Sequence, residues 1–307
     1  MKRIGFEKEE EVVRVIINEN GQPIAERFAV SLRARGLSER TVRSYLAQLR
    51  RFGSWYQESC GPFDPAAVTA LDIADYRRWM QDRGCKPATV NLALVALSRF
   101  FSWAVEDGIC SLDPAANVKH VPEQTQGPRW LDRKALGALL RAVMRYGSPR
   151  DRAFVTLILH TGLRVSEACG LRVDDVELRE RSGRVRVRRG KGGKYREVPL
   201  NVTVRKVLSE YIESRSDGHW LFVNRYGDRL SERSGERLVR RYAGLAGLQG
   251  VTVHTLRHTF CKMLIDAGES LDRIAALAGH ANLNTTARYT RPSFTDLERA
   301  VGRLAWE

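Results

Sequence analysis

Residues His254 to Phe260 read HTLRHTF. Two imidazoles four residues apart on a helix can grip a metal ion, and an arginine at the third step falls on the same face. The zinc-protease form of this spacing needs a glutamate directly after the first histidine as general base, and Thr255 stands there instead. A fixed guanidinium is a poor neighbour for a dication. It suits an oxyanion, because its planar fork of donors matches phosphate and stays charged at any working pH. The local pattern leaves zinc and phosphate both open, and other residues must decide.

Further residues able to hold or attack an anion are Arg164 in TGLRVSE, Lys191 in RGKGGKY, His280 in LAGHANLNTTARYT and Tyr289 at the end of that stretch. Arg164 follows an apolar run, where an unpaired cation is costly, so a bound anion, an ion pair with Glu167, or both must account for it. Taken in order, TGLRVSE, GKGGKYREVPL, HTLRHTF and LAGH…TARYT resemble the motifs of tyrosine recombinases of the phage-integrase family. The resemblance spans the second half of the chain and, more loosely, the helical part before it. No catalytic position departs from the pattern. In size the chain is similar to compact, Xer-like two-domain members.

The resemblance implies a site-specific DNA recombinase or integrase that cuts and rejoins strands through a 3′-phosphotyrosine link and a Holliday junction. It implies Tyr289 as nucleophile, with Arg164 and Arg257 neutralising charge on the non-bridging oxygens. Lys191, on a hairpin tip, would protonate the leaving 5′ oxygen. His254 would take the tyrosine proton or bind phosphate, His280 would be a second donor, and His258 would buttress the helix. Such chemistry needs neither metal nor ATP, so no cofactor is expected. The expected partners are double-stranded DNA sites and a homotetramer assembled on two of them. Two competitors remain: an accessory DNA-binding protein of the same fold, which has no need of the tyrosine, and a monomeric relaxing enzyme like the type IB topoisomerases.

Composition agrees with a polyanionic partner. The chain has 307 residues with 51 Lys+Arg against 36 Asp+Glu, a formal charge of +15, which favours nucleic acid. Five separated cysteines with no C-x-x-C read as reduced thiols, and the opening MKRIGFEKEEEVVRVIINEN is too acidic for a signal or transit peptide. No apolar run reads as approaching the ~20 residues of a membrane span. A cytoplasmic protein with no membrane partner is expected.

The elements that must position these residues fall into two groups, a mainly α fold with a small β-sheet (α+β). Residues 1–22 form a short extension. From 23 to 120 the pattern is a helical bundle, which the resemblance implies is the core DNA-binding domain. In LSERTVRSYLAQLRRFGSWYQES, Ser38 caps a helix whose apolar face is Val42, Tyr45, Leu46, Leu49, Phe52 and Trp55. Its other face carries Arg40, Arg43, Arg50 and Arg51, candidate DNA contacts. Helices are also expected over IAERFAVSLRAR, over 70–83 and from Pro87 to just before Gly108. A proline-bearing linker at 121–130 leads to a catalytic domain, 131–307. There helices are expected at 132–146, 150–160, 201–214, 231–246, 254–267, 270–278 and 294–305, with strands GRVRVRR and KYREVPL about GKGG. Alternation gathers Arg186 and Arg188 on one strand face, and Lys194 lies in the same turn as Lys191; these three complete the expected DNA contacts. The last helix could close its own core or dock on the next protomer.

Overall fold

The computed structural model describes residues 24–123, 127–188, 195–215, 218–280, 282–290, 298 and 301–302. The chain divides into two compact units between Thr125 and Gln126.

Among the described residues the first unit is a four-helix bundle: α1 (Ile24–Ala34), α2 (Glu39–Ser59), α3 (Ala70–Asp82) and α4 (Pro87–Glu106). Ser38 caps α2 by accepting the Thr41 N–H, and Thr69 with Asp72 makes a reciprocal cap on α3. Val42, Leu49, Phe52 and Trp55 are buried as their spacing predicts, while Tyr45 and Leu46 pack at the margin. Phe52 centres an aromatic cluster with Tyr76 and Phe101, at ring separations of 5.1 and 6.3 Å.

One sequence expectation needs correction here. At 20 residues and a mean hydropathy of 1.4, α4 is long and apolar enough to cross a membrane. It is apolar on most sides because it packs against α1, α2 and α3 together, so that Val90, Leu97, Phe100 and Phe101 are all buried.

The second unit contains α5 (Arg133–Tyr146), α6 (Pro149–Thr161), the short α7 (Val165–Cys169), β1 (Val176–Leu178), β2 (Gly183–Val187), β3 (Arg196–Pro199) and α8 (Val202–Ser214). It continues with α9 (Glu232–Leu245), α10 (Val253–Asp266), α11 (Leu271–Ala278) and α12 (Leu283–Ala287). The strands form one antiparallel sheet in the order β1-β2-β3, with Arg186 opposite Glu197. Helix α6 is the core, buried along nearly its whole length and packed on α5, α8 and α10. The mainly α fold with a small sheet is the class expected. The elements α7, β1 and α12 are additional. The expected helix 294–305 lies outside the described residues apart from Glu298, Val301 and Gly302, which are helical.

Candidate active site

The site is built where α6 ends. Its last turn closes on Gly162 in the left-handed region, φ 62°, and a Cβ there would lie 2.3 Å from the Phe260 ring. Only glycine meets both demands, and the turn delivers Arg164 to the head of α7. The Arg164 N–H donates to Glu167 Oε2 at 2.8 Å and its Nη1 to Glu167 Oε1 at 2.8 Å. Its Nη2 donates to the Gly279 carbonyl at 2.8 Å. The ion pair with Glu167 is therefore present, and it fixes the guanidinium.

Arg257, on the second turn of α10, is 2% exposed. Its Nη1 donates to the Gly162 carbonyl, while Nη2 has no hydrogen-bond partner among the described residues. Burial first, then the positive charge of Arg164, pulls its pKa down to about 10, which still leaves a cation at neutral pH. A buried guanidinium with an unused donor is the property expected of a group awaiting an anion.

Helix α11 ends on Gly279, also left-handed, and the chain turns out into His280, whose Nδ1 lies 2.8 Å from Thr286 Oγ1. Tyr289 follows α12 and is itself 2% exposed. Its hydroxyl lies 2.5 Å from Nδ1 of His258, with the Cys261 thiol as the other neighbour. In the tautomer that leaves Nδ1 unprotonated, the phenol O–H donates to the imidazole nitrogen. His254 packs edge-on against His258 at 4.2 Å between ring centres. Desolvation lowers the pKa of His258 to about 3 and of His280 to about 4, with Arg257 among the cations adding to both. Burial pushes Tyr289 well above an ordinary tyrosine.

These side chains line one cavity of about 540 Å³, which holds Arg164, His254, Arg257, His258, His280 and Tyr289 together. Two further arginines reach it that the sequence did not single out: Arg129, within the expected linker, and Arg288, next to Tyr289. The reading of His258 as a helix buttress is corrected, since it is the residue on the tyrosine hydroxyl. Lys191 and Lys194 lie outside the described residues.

The other candidate DNA contacts are distributed differently. Arg40, Arg43 and Arg50 lie on the exposed face of α2, and Arg43 Nε donates to the Glu39 carbonyl at 3.3 Å. Arg51 spends its guanidinium on Cys85 Sγ and the face of Trp79. Arg186 pairs with Glu177 at 2.8 Å and Glu197 at 3.4 Å, and Arg188 pairs with the buried Asp175. The arginine face of β2 is thus matched by carboxylates of the neighbouring strand and turn, a pairing that single-strand alternation does not reveal.

What the pocket offers is a partly buried box with several fixed positive charges and a phenol at its wall. Comparison with known proteins agrees. Residues 129–296 match the phage integrase family, and residues 24–109 match the phage integrase N-terminal SAM-like domain. The chain belongs to the phage integrase family. It is 33% identical over 269 residues to the tyrosine recombinase XerC of Thermodesulfovibrio yellowstonii, covering 83% of this chain and 87% of that one. It is 34% identical over 281 residues to the tyrosine recombinase XerA of Thermococcus kodakarensis, covering 90% and 93%. The fold matches the XerH site-specific recombinase bound to a palindromic difH substrate, with a TM-score of 0.75 at 22% identity over 96% of this chain and 92% of that one. This integrase-family chain is a tyrosine-type site-specific DNA recombinase.

Proposed function

We propose that Tyr289 attacks the scissile phosphodiester and carries the 3′-phosphotyrosine, while Arg164 and Arg257 neutralise the non-bridging oxygens as the phosphorus becomes pentavalent. The observation that carries this reading is the Nη2 of buried Arg257, which has no hydrogen-bond partner among the described residues and lies in the cavity that also holds Tyr289. His258 receives the tyrosine proton, being already on its hydroxyl, and His254 and His280 serve the phosphate. Lys191 supplies the proton to the 5′ oxygen; it is assigned from the hairpin motif alone. Residues 131–307 are the catalytic domain in this scheme, and 23–120 grip the duplex.

The assembly we propose is a homotetramer on two DNA sites, acting through a Holliday junction, with the segment after Tyr289 exchanged between protomers. We place it in the cytoplasm and on a mobile element. The five unpaired cysteines support the first placement, and the sequence TRPSFTDLERA after the nucleophile supports the second.

The test is a nicked suicide duplex carrying the target site, resolved on a denaturing gel. The parent protein should give a protease-sensitive covalent adduct. Tyr289→Phe should give none while binding duplex with nearly unchanged affinity, because the hydroxyl is the nucleophile and contributes little to backbone contacts. A Phe variant that still forms the adduct removes Tyr289 from the mechanism. Mapping the covalently held ends on genomic fragments separates a mobile-element site from a chromosomal one.

A further inference from the structure

Arg196 opens β3, opposite Val187 in the register, so it is the first sheet residue after the segment of sequence that contains Lys191. Its guanidinium does not face solvent; the side chain is 12% exposed. Nη1 donates to Glu167 Oε1 at 3.0 Å, Nη2 donates to Glu167 Oε2 at 2.8 Å, and Nε donates to the Leu277 carbonyl at 3.1 Å. Its flat face lies against Gly279, where a Cβ would come within 2.7 Å of Nη1 and 2.8 Å of Cζ. One side chain thus ties the hairpin's outgoing strand to the carboxylate under Arg164 and to the helix end from which His280 emerges.

The charge count explains why that matters. Glu167, its side chain 2% exposed, is one carboxylate bonded to two guanidiniums, those of Arg164 and Arg196. Each oxygen accepts from both residues: Oε1 from Arg164 Nη1 and Arg196 Nη1, Oε2 from the Arg164 backbone N–H and Arg196 Nη2. If Glu167 faced Arg164 alone, the pair would be a closed internal salt bridge and the site would lose much of one positive charge. With Arg196 drawing on the same carboxylate, Arg164 is anchored but only partly neutralised.

We infer that Arg196 is a positioning residue for strand cleavage: by sharing Glu167 it holds Arg164 in place with charge left over for the scissile phosphate. The inference rests on the proposed role of Arg164, and the experiment separates the two. Suicide duplexes are prepared with an ordinary phosphodiester or a methylphosphonate at the scissile position. The methylphosphonate has a neutral methyl in place of one non-bridging oxygen, so a group that works by neutralising that oxygen has little left to do. Single-turnover cleavage and duplex affinity are measured for the parent, Arg164→Ala, Arg196→Met and the charge-balanced double variant Arg196→Met with Glu167→Gln.

Arg164→Ala and Arg196→Met should both lose about 100-fold on the phosphodiester and only a few-fold on the methylphosphonate, with duplex affinity nearly constant. The double variant has no uncompensated carboxylate to quench Arg164, so it should recover to within about tenfold of the parent on the phosphodiester. It also covers the case in which Arg196→Met alone fails to fold. Selective loss in Arg164→Ala with equal loss on both substrates in Arg196→Met, or a double variant as slow as Arg196→Met, overturns the inference alone. Equal losses on both substrates in Arg164→Ala would instead defeat the underlying role of Arg164.

Discussion

The Tyr289 hydroxyl sits 2.5 Å from Nδ1 of His258, while His254 packs edge-on against the ring of His258 at 4.2 Å between ring centres. Two histidines that share a helix face are thereby separated in role: one on the nucleophile, the other toward the cavity. His258→Ala should slow formation of the covalent adduct by about 100-fold, the scale of a lost general base, and leave duplex affinity unchanged. His254→Ala should instead share the phosphodiester-selective loss expected of Arg164→Ala. Single-turnover cleavage of both variants on the two suicide substrates checks the division. Identical behaviour of the two variants would show that it does not hold.

The same rings make stability depend on acid. His258 and His280 have native pKa values near 3 and 4, below the ~6.5 of an unfolded histidine. Below that unfolded value the unfolded chain takes up protons that the native chain refuses, so stability falls as pH drops from about 6.5 toward the native values. At pH 5 the loss is on the order of 2 kcal/mol for each ring. Urea unfolding at pH 7 and pH 5 should show the drop, and the His258→Gln, His280→Gln double variant should lose most of it.

Much of this was legible before any coordinates. The α2 face was readable because six apolar residues recur at helical spacing, and the end of α6 because a glycine directly precedes Leu163 and Arg164. The short elements were not. Five residues of α7, three of β1 and five of α12 are too few to establish a period, and tertiary contacts decide them. The partnership of His258 with Tyr289 spans 31 positions, and that of Arg196 with Glu167 spans 29. No local pattern reports either. The pairing of Arg186 and Arg188 was hidden for a related reason: alternation shows which residues share a strand face, not what the neighbouring strand sets opposite them.

Gly162 gives a sharp test of how the site is framed. Alanine there would occupy the left-handed region and press its Cβ into Phe260, so Gly162→Ala should cost about 2–4 kcal/mol. Because the Gly162 carbonyl also accepts from Arg257, the surviving folded protein should cleave slowly as well. Thermal melting together with single-turnover cleavage measures both. A variant that melts like the parent would mean that the α6–α10 contact is loose.

Metal removal separates the two chemistries that HTLRHTF allows. Arg164 and Arg257 are permanent cations beside the candidate nucleophile, and among the described residues no group of three His, Cys, Asp or Glu side chains is placed to hold an ion. If the arginines neutralise the phosphate, excess EDTA should leave the rate of suicide-substrate cleavage unchanged. Strict dependence on an added divalent ion would return the histidines to metal ligation.

The last prediction concerns the end of the chain. The sequence spaces Phe294, Leu297, Val301, Leu304 and Ala305 as one stripe of a helix would, and all but Val301 lie outside the described residues. Val301, the one member of that stripe among the described residues, is 68% exposed. A stripe that leaves its valine in water within a single chain is suited to burial against a neighbour. Deleting residues from Ser293 onward should therefore leave a protein that melts like the parent and binds one DNA site, but cannot pair two sites or exchange strands. Had the stripe packed on its own domain, the same deletion would remove roughly 1.5–3 kcal/mol for each large side chain and lower the melting temperature. Gel-shift assays on one and two sites, run beside thermal melts, distinguish these outcomes. A truncated protein that still recombines two sites would eliminate exchange of this segment as the link between protomers.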